Sequence, residues 1–151
     1  MAEEGLILTQ AGRWTEAEAA LRKAMAISPN DANVLNALGL LAWQHDGHLD
    51  EAASYFSEAL ASHTEADDFK ASLHSNLGAV YGQQGRYSDA IAQFEVAVQI
   101  TPRDPEYLTN LATAFQAVGR IDDARKALRA ALAVAPDYQP ARVVLQQIGT
   151  N

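Results

Sequence analysis

The sequence predicts an all-α chain, a solenoid of stacked antiparallel helix pairs, and three observations carry that prediction. A ten-residue phrase occurs four times: GRWTEAEAAL from Gly12, GHLDEAASYF from Gly47, GRYSDAIAQF from Gly85 and GRIDDARKAL from Gly119. The four glycines lie 35, 38 and 34 residues apart, a period in the range of solenoids made of repeated supersecondary units. Behind each glycine, small and apolar residues recur in register: Ala17, Ala52, Ala90 and Ala124, then Leu21, Phe56, Phe94 and Leu128, then Ala24, Ala59, Ala97 and Ala131. Steps of three and four residues place such side chains on one helical face turned to a core.

Each phrase reads as the turn between two antiparallel helices and the first turns of the second. The glycine ends the preceding helix, where a left-handed backbone costs it little. Three residues on stand Thr15, Asp50, Ser88 and Asp122, types expected to cap the next helix. Glu16, Glu51, Asp89 and Asp123 follow, acids at the positive end of a helix dipole. Gly78, Ala90 and Ala97 are expected to let two helix backbones approach, with Tyr81 and Phe94 filling the space beside them. Phe115 and Leu128 take those places in the next unit.

Taken together, these residues resemble the tetratricopeptide repeat, a 34-residue helix-turn-helix motif. Residues 71–104 fit best, through Leu77, Gly78, Tyr81, Gly85, Tyr87, Ala90, Phe94, Ala97 and Pro102. Residues 105–138 follow through Leu111, Ala112, Phe115, Gly119, Ile121, Ala124, Leu128, Ala131 and Pro136. The resemblance implies a right-handed superhelical solenoid, one domain over 1–151, with repeats at about 1–31, 32–70, 71–104 and 105–138.

The units depart from the pattern in order along the chain. The first (1–31) lacks the opening turn of its first helix and has Glu4 where the others place Leu38, Leu77 and Leu111. With nothing stacked before it that face is free to stay wet, so this unit reads as an end cap or as the cut edge of a longer array. The second (32–70) carries one extra residue around His45–Asp46 and more near SHTEADDFK, with Thr64 in place of the proline. Thr64 and Asp67 resemble a capping pair, so the next helix is expected to begin about a turn early. After Pro136, residues 139–149 are expected to form a helix closing the stack.

Composition narrows the function classes. Nineteen acids against eleven Lys and Arg leave a formal charge of −8, which repels phosphate, so neither nucleic acid nor an anionic membrane is expected as a partner. There is no cysteine, which excludes disulfides and thiolate chemistry. The start, MAEEGLILTQAG, lacks the basic region of a signal peptide, and the longest apolar run, ALGLLAW, is too short to span a bilayer. A cytoplasmic setting is the expectation.

No phosphate-binding loop, nucleophile elbow or HExxH pair is present, so no catalytic residue and no cofactor is expected. His45, His48 and Asp50 in HDGHLD are the one cluster with a metal look. Gly47 breaks the helix between the two histidines and no fourth ligand is evident, so a solvated turn is the reading and no metal is expected. His74 reads as edge packing.

In the family that the sequence resembles, the first helix of each pair lines a concave groove. Carried over, the wall here comprises Asn33, Asn36, Leu40, Trp43 and Gln44, then Ser72, Ser75, Asn76, Ala79 and Gln83, then Glu106, Thr109, Asn110, Thr113 and Gln116. The candidates for partner binding are Asn36, Trp43, Gln44, Ser72, Asn76, Gln83, Thr109, Asn110 and Thr113. Amides both donate and accept, and so suit an extended peptide backbone. Asn76 and Asn110, 34 residues apart, resemble two rungs of the asparagine ladder of O-linked N-acetylglucosamine transferases and kinesin light chains. The cationic clamp of chaperone-binding members is missing: its basic positions hold Asn36, Glu106 and Asn110. Trp43 points either into the groove or, through the extra residue after it, into the core.

The expected function is a protein-interaction scaffold that takes a partner peptide or helix in the groove. Two alternatives stand beside it. One is a non-catalytic, substrate-selecting arm of a larger enzyme such as a glycosyltransferase. The other is self-assembly into a homo-oligomer through the open ends of the stack.

Overall fold

The structure is a computed structural model. It describes residues 2–62 and 66–149, leaving aside the side chains of Ala2, Gln10 and Asp46, and every regular element among them is helical. The chain divides into two compact units, residues 1–66 and 67–151. The first holds α1 (Ala2–Gln10), α2 (Trp14–Ile27), α3 (Ala32–Leu41) continued by a π turn (Ala42–Asp46), and α4 (Leu49–Ala61). The second holds α5 (Asp67–Gln83), α6 (Tyr87–Ile100), α7 (Pro105–Ala117), α8 (Ile121–Val134) and α9 (Gln139–Gln147). Helix α5 begins a turn ahead of the position where α3 and α7 begin, as expected. Thr64, which would form half of its capping pair, lies outside the described residues.

Every pair turns on the same backbone device. Gly12, Gly47, Gly85 and Gly119 have φ of 71°, 65°, 74° and 77°, the left-handed region that a Cβ disfavours. At Gly85 the turn closes with Gly85 N–H donating to the Gly82 carbonyl and Arg86 N–H to the Tyr81 carbonyl, the paired bonds of a Schellman motif. The Arg86 carbonyl then accepts the first bond of α6, from Ala90 N–H. One residue thus finishes one helix and starts the next.

This corrects the expected caps. Thr15, Asp50, Ser88 and Asp122 lie inside their helices, because α2, α4, α6 and α8 begin at Trp14, Leu49, Tyr87 and Ile121. The capping positions belong to Arg13, His48, Arg86 and Arg120, and none of them makes a side-chain cap. The glycine has already reversed the chain, so the helix starts sooner than a side-chain cap would need. The acid falls in the first turn, where Arg13 meets Glu16 at 2.6 Å and Arg86 and Arg120 meet Asp89 and Asp123 at 2.7 Å. In the second phrase His48 stands 3.5 Å from Glu51. The arginines also cover the helix they close: Arg86 lies 4.1 Å from the Tyr81 ring centre and Arg120 4.3 Å from that of Phe115. True side-chain caps open the first helices of pairs: Asp31 accepts from Asn33 and Val34 N–H, and Asp104 from Glu106 and Tyr107 N–H.

The extra residue near His45–Asp46 is absorbed by the π turn. His48 N–H reaches back six residues to the Ala42 carbonyl, whereas Arg13, Arg86 and Arg120 reach back five, to Leu8, Tyr81 and Phe115. A single wide turn therefore takes up the insertion and restores the register before Gly47.

Within each pair the core is a small residue set against a large one. A Cβ added at Gly39 would fall 2.7 Å from the buried Phe56 ring, and one at Gly78 2.9 Å from Phe94. Gly5 is similarly closed off by Leu21. The glycine at 78 thus makes room for the ring itself, a sharper role than the backbone approach expected. Buried Ala17, Ala52, Ala90 and Ala124 lie on the opposing helices, while Glu4 stays exposed. Helix α9 packs on α7 and α8 through buried Ala141, with Leu145 and Ile148 also against the core of the second unit. Arg125 donates to the Ile148 carbonyl at 3.4 Å, tying the end of α9 to α8. Val143, on the same helix, faces outward at 48% exposure.

Replacing Ala90 with leucine should destabilise the fold by roughly 1–3 kcal/mol, because a fully buried site has no space for it. Ala92 is exposed, and Ala92→Leu should leave the melting temperature nearly unchanged. Equal melting of the two variants would contradict this packing. Deleting residues 139–151 should strip cover from Leu132 and its neighbours. Lower thermal stability and association in light scattering are the expected results.

Candidate functional site

Helices α5 and α7 of the second unit lie side by side and hold most of the expected groove residues. Between them, with the start of α6 beneath, opens a cleft of about 270 Å³. Ala79, Gly82, Ala114 and Ala117 form its walls, Gly78 and Phe94 reach its base, and Gln83, Asn110 and Thr113 stand around it with Tyr87. None of these residues carries a formal charge.

The polar groups along this face are held by the two helices that present them. Asn110 donates from Nδ2 to Ser75 Oγ across the helices at 3.3 Å, and Ser72 lies beside the Tyr107 phenol. Burial, with the nearby carboxylates of Asp104 and Glu106, pushes that phenol's pKa above its ordinary value. Thr113 Oγ1 donates to the Thr109 carbonyl at 3.0 Å, a bond along its own helix that leaves the hydroxyl oxygen able to accept. Asn76 is half-buried and Gln83 exposed.

Two expected groove residues behave differently. Thr109 is only 5% exposed, and its hydroxyl donates to the Pro105 carbonyl at 2.7 Å. It packs the wall, and burial keeps its hydroxyl from a partner, because the helix places it on the side turned to protein. Trp43, in the first unit, is half-buried, with its ring edge-on to Phe56 at 6.5 Å between centres and 88° between planes. The π turn rotates the ring onto its own core. Of the other two residues from that unit, Asn36 is half-buried and Gln44 exposed. The expectation missed Gly82, Ala114, Ala117 and Tyr87 as cleft residues. Its one available signal was a glycine at 82 inside a helical pattern, away from any turn.

Three other polar groupings among the described residues are occupied by their own members. The His45 ring stacks on Trp14 at 5.0 Å, and His74 Nδ1 is 2.8 Å from Gln93 Oε1 in α6. A smaller cleft of the first unit, lined by Glu18, Arg22, His48, Glu51 and Tyr55, is filled with internal pairs. These include Arg22–Glu18 at 2.7 Å and Tyr55 Oη to Glu51 at 3.3 Å. Among the described residues no group of three or more His, Cys, Asp or Glu is placed to hold a metal ion. No described helix is long and apolar enough to cross a membrane.

Comparison with known proteins agrees with this architecture. A family model described as tetratricopeptide repeat matches residues 2–65 and 30–103, and a second of the same description matches 81–148. The chain belongs to the tetratricopeptide-repeat family. Over 139 residues it is 33% identical to cellulose synthase operon protein C of Xanthomonas axonopodis pv. citri, a match that covers 89% of this chain and 9% of that protein. Among solved structures, one similar chain comes from the APC/C hetero-tetramer Cut9–Hcn1, with 23% identity and a TM-score of 0.90 over 97% of this chain and 29% of that one. Another is the first TPR of Spaghetti (RPAP3) bound to an HSP90 peptide, with 19% identity and a TM-score of 0.71 over 78% of this chain and 92% of that one. This chain spans less than half the length of each curated relative that it matches. Tetratricopeptide repeats generally act as non-catalytic scaffolds that mediate protein–protein interaction.

Proposed function

We propose that this protein binds a partner protein through an extended segment laid along α5 and α7. The observation that carries the reading is the uncharged cleft between these helices, with Gln83, Asn110 and Thr113 around an apolar floor. Side-chain amides both donate to and accept from a peptide backbone. The arrangement therefore holds main chain with little demand on sequence. Asn76, half-buried on α5, is the second amide of the proposed contact.

The Spaghetti (RPAP3) domain is solved with an HSP90 peptide, SRMEEVD, which gives a precedent for a peptide on this fold. That peptide is acidic and ends in a carboxylate. Here Glu106 and Asn110 stand where chaperone-binding members of the family place basic residues, so a neutral or basic segment is the better match.

The test is selection from a random-peptide display library, followed by calorimetry with the best binder. Asn76→Ala and Asn110→Ala should each weaken binding several-fold, as expected for hydrogen bonds worth about 0.5–1.5 kcal/mol. The double variant should lose more, and circular dichroism should show unchanged helix content. Arg86→Glu and Arg120→Glu, in the turns, should leave affinity nearly unaltered. Binding that depends on the turn arginines and ignores both asparagines would move the interface off this face.

A further inference from the structure

We infer that the cleft between α5 and α7 is a specificity pocket for one bulky apolar side chain, of leucine or phenylalanine size, carried by the segment that the groove binds. This rests on the groove reading above and adds what that segment must contain. The size fits: an apolar cavity of about 150 Å³ already takes a benzene ring, so a cleft of about 270 Å³ receives one large side chain and little more. The charge fits as well. No cleft residue is charged, and the nearby guanidinium of Arg86 is occupied by Asp89 at 2.7 Å and by the Tyr81 ring. A lysine or aspartate entering here would lose its hydration with no partner for its charge, which selects a neutral apolar group.

A third observation is independent of the first two. Gly82 lies in the last turn of α5, and a glycine there weakens the helix. Gly12, Gly47, Gly85 and Gly119 need their positive φ, and Gly39 and Gly78 are closed off by aromatic rings. Gly82 has neither reason: its φ is not positive, and an added Cβ would meet nothing within 4 Å. What the missing side chain does is leave the cleft open, because Gly82 is part of its wall. Asn110 and Gln83 beside the opening are placed to hold the main chain on either side of the anchor.

The test is a two-dimensional ¹H–¹⁵N NMR titration of the whole chain with N-acetyl-leucinamide, N-acetyl-phenylalaninamide and N-acetyl-lysinamide. Saturable shifts centred on the amides of Gly82, Asn110, Ala114 and Ala117 are expected with the first two probes, with Kd on the order of millimolar for ligands so small. The lysine probe should bind at least about tenfold more weakly. Gly82→Leu fills the cleft and should abolish the shifts. Ala117→Leu, at an exposed site on the opposite wall, should do the same if the first variant folds poorly. Gly82→Ala should retain most of the binding. No saturable shift, equal binding of the lysine probe, or undiminished binding in both leucine variants would overturn the pocket. Selected peptides that respond to Asn110→Ala but ignore Gly82→Leu would overturn the pocket alone and leave the groove reading standing. If no peptide binds α5 and α7 at all, the groove reading falls and the peptide-borne anchor with it.

Discussion

The left-handed glycine between paired helices is the constraint on which the rest of the structure depends. Because Gly85 reverses the chain in a single residue, Arg86 serves at once as the end of α5 and the capping position of α6. The second helix must then run back against the first with almost no loop between them. That short reversal puts Phe94 opposite Gly78, and the same device in the first unit puts Phe56 opposite Gly39. A longer turn would leave the spacing between the small and large partners unspecified. The arginine contacts follow from the same geometry, since the residue after the glycine stands over the ring five positions before it and beside the acid three positions after. Exposed pairs of this kind contribute little each, so they tune a turn that the glycine has already made.

The π turn shows how firmly that device is held. An insertion just before the second phrase did not displace Gly47 from its left-handed conformation; it was taken up in the turn ahead of it, at Ala42–Asp46. The wide turn keeps a glycine, rather than a residue with a side chain, at the positive φ. The consequence falls on Trp43, whose ring meets Phe56. A residue whose direction the sequence left open thereby packs half-buried against a core ring.

The glycines of this chain divide by cause. Those at the turns answer to backbone conformation, and Gly5, Gly39 and Gly78 answer to the large side chains beside them. Gly82 answers to neither, and it stands in the wall of the uncharged cleft between α5 and α7. The contrast matters because local stability and binding make opposite demands on that position. A leucine there would strengthen the helix and close the cleft.

Much of the fold was legible in the sequence, because it is set by local rules that repeat. Glycine marks each reversal, and the alanine, leucine and phenylalanine spacings mark each buried face, so four copies of one phrase were enough to predict paired helices. The exposed Glu4 and the early start of α5 were legible for the same reason. The caps were misplaced because Thr15, Asp50, Ser88 and Asp122 satisfy a capping preference that the glycine turn makes unnecessary. Only the tertiary structure decided which polar residues face outward. Thr109 and Thr113 are four residues apart on one helix, yet the first is buried and the second exposed, since a neighbouring element covers one and not the other. The cleft at Gly82 was likewise beyond the sequence, because an opening is defined by residues from three helices at once, and periodicity along one helix carries no record of the distance to the next.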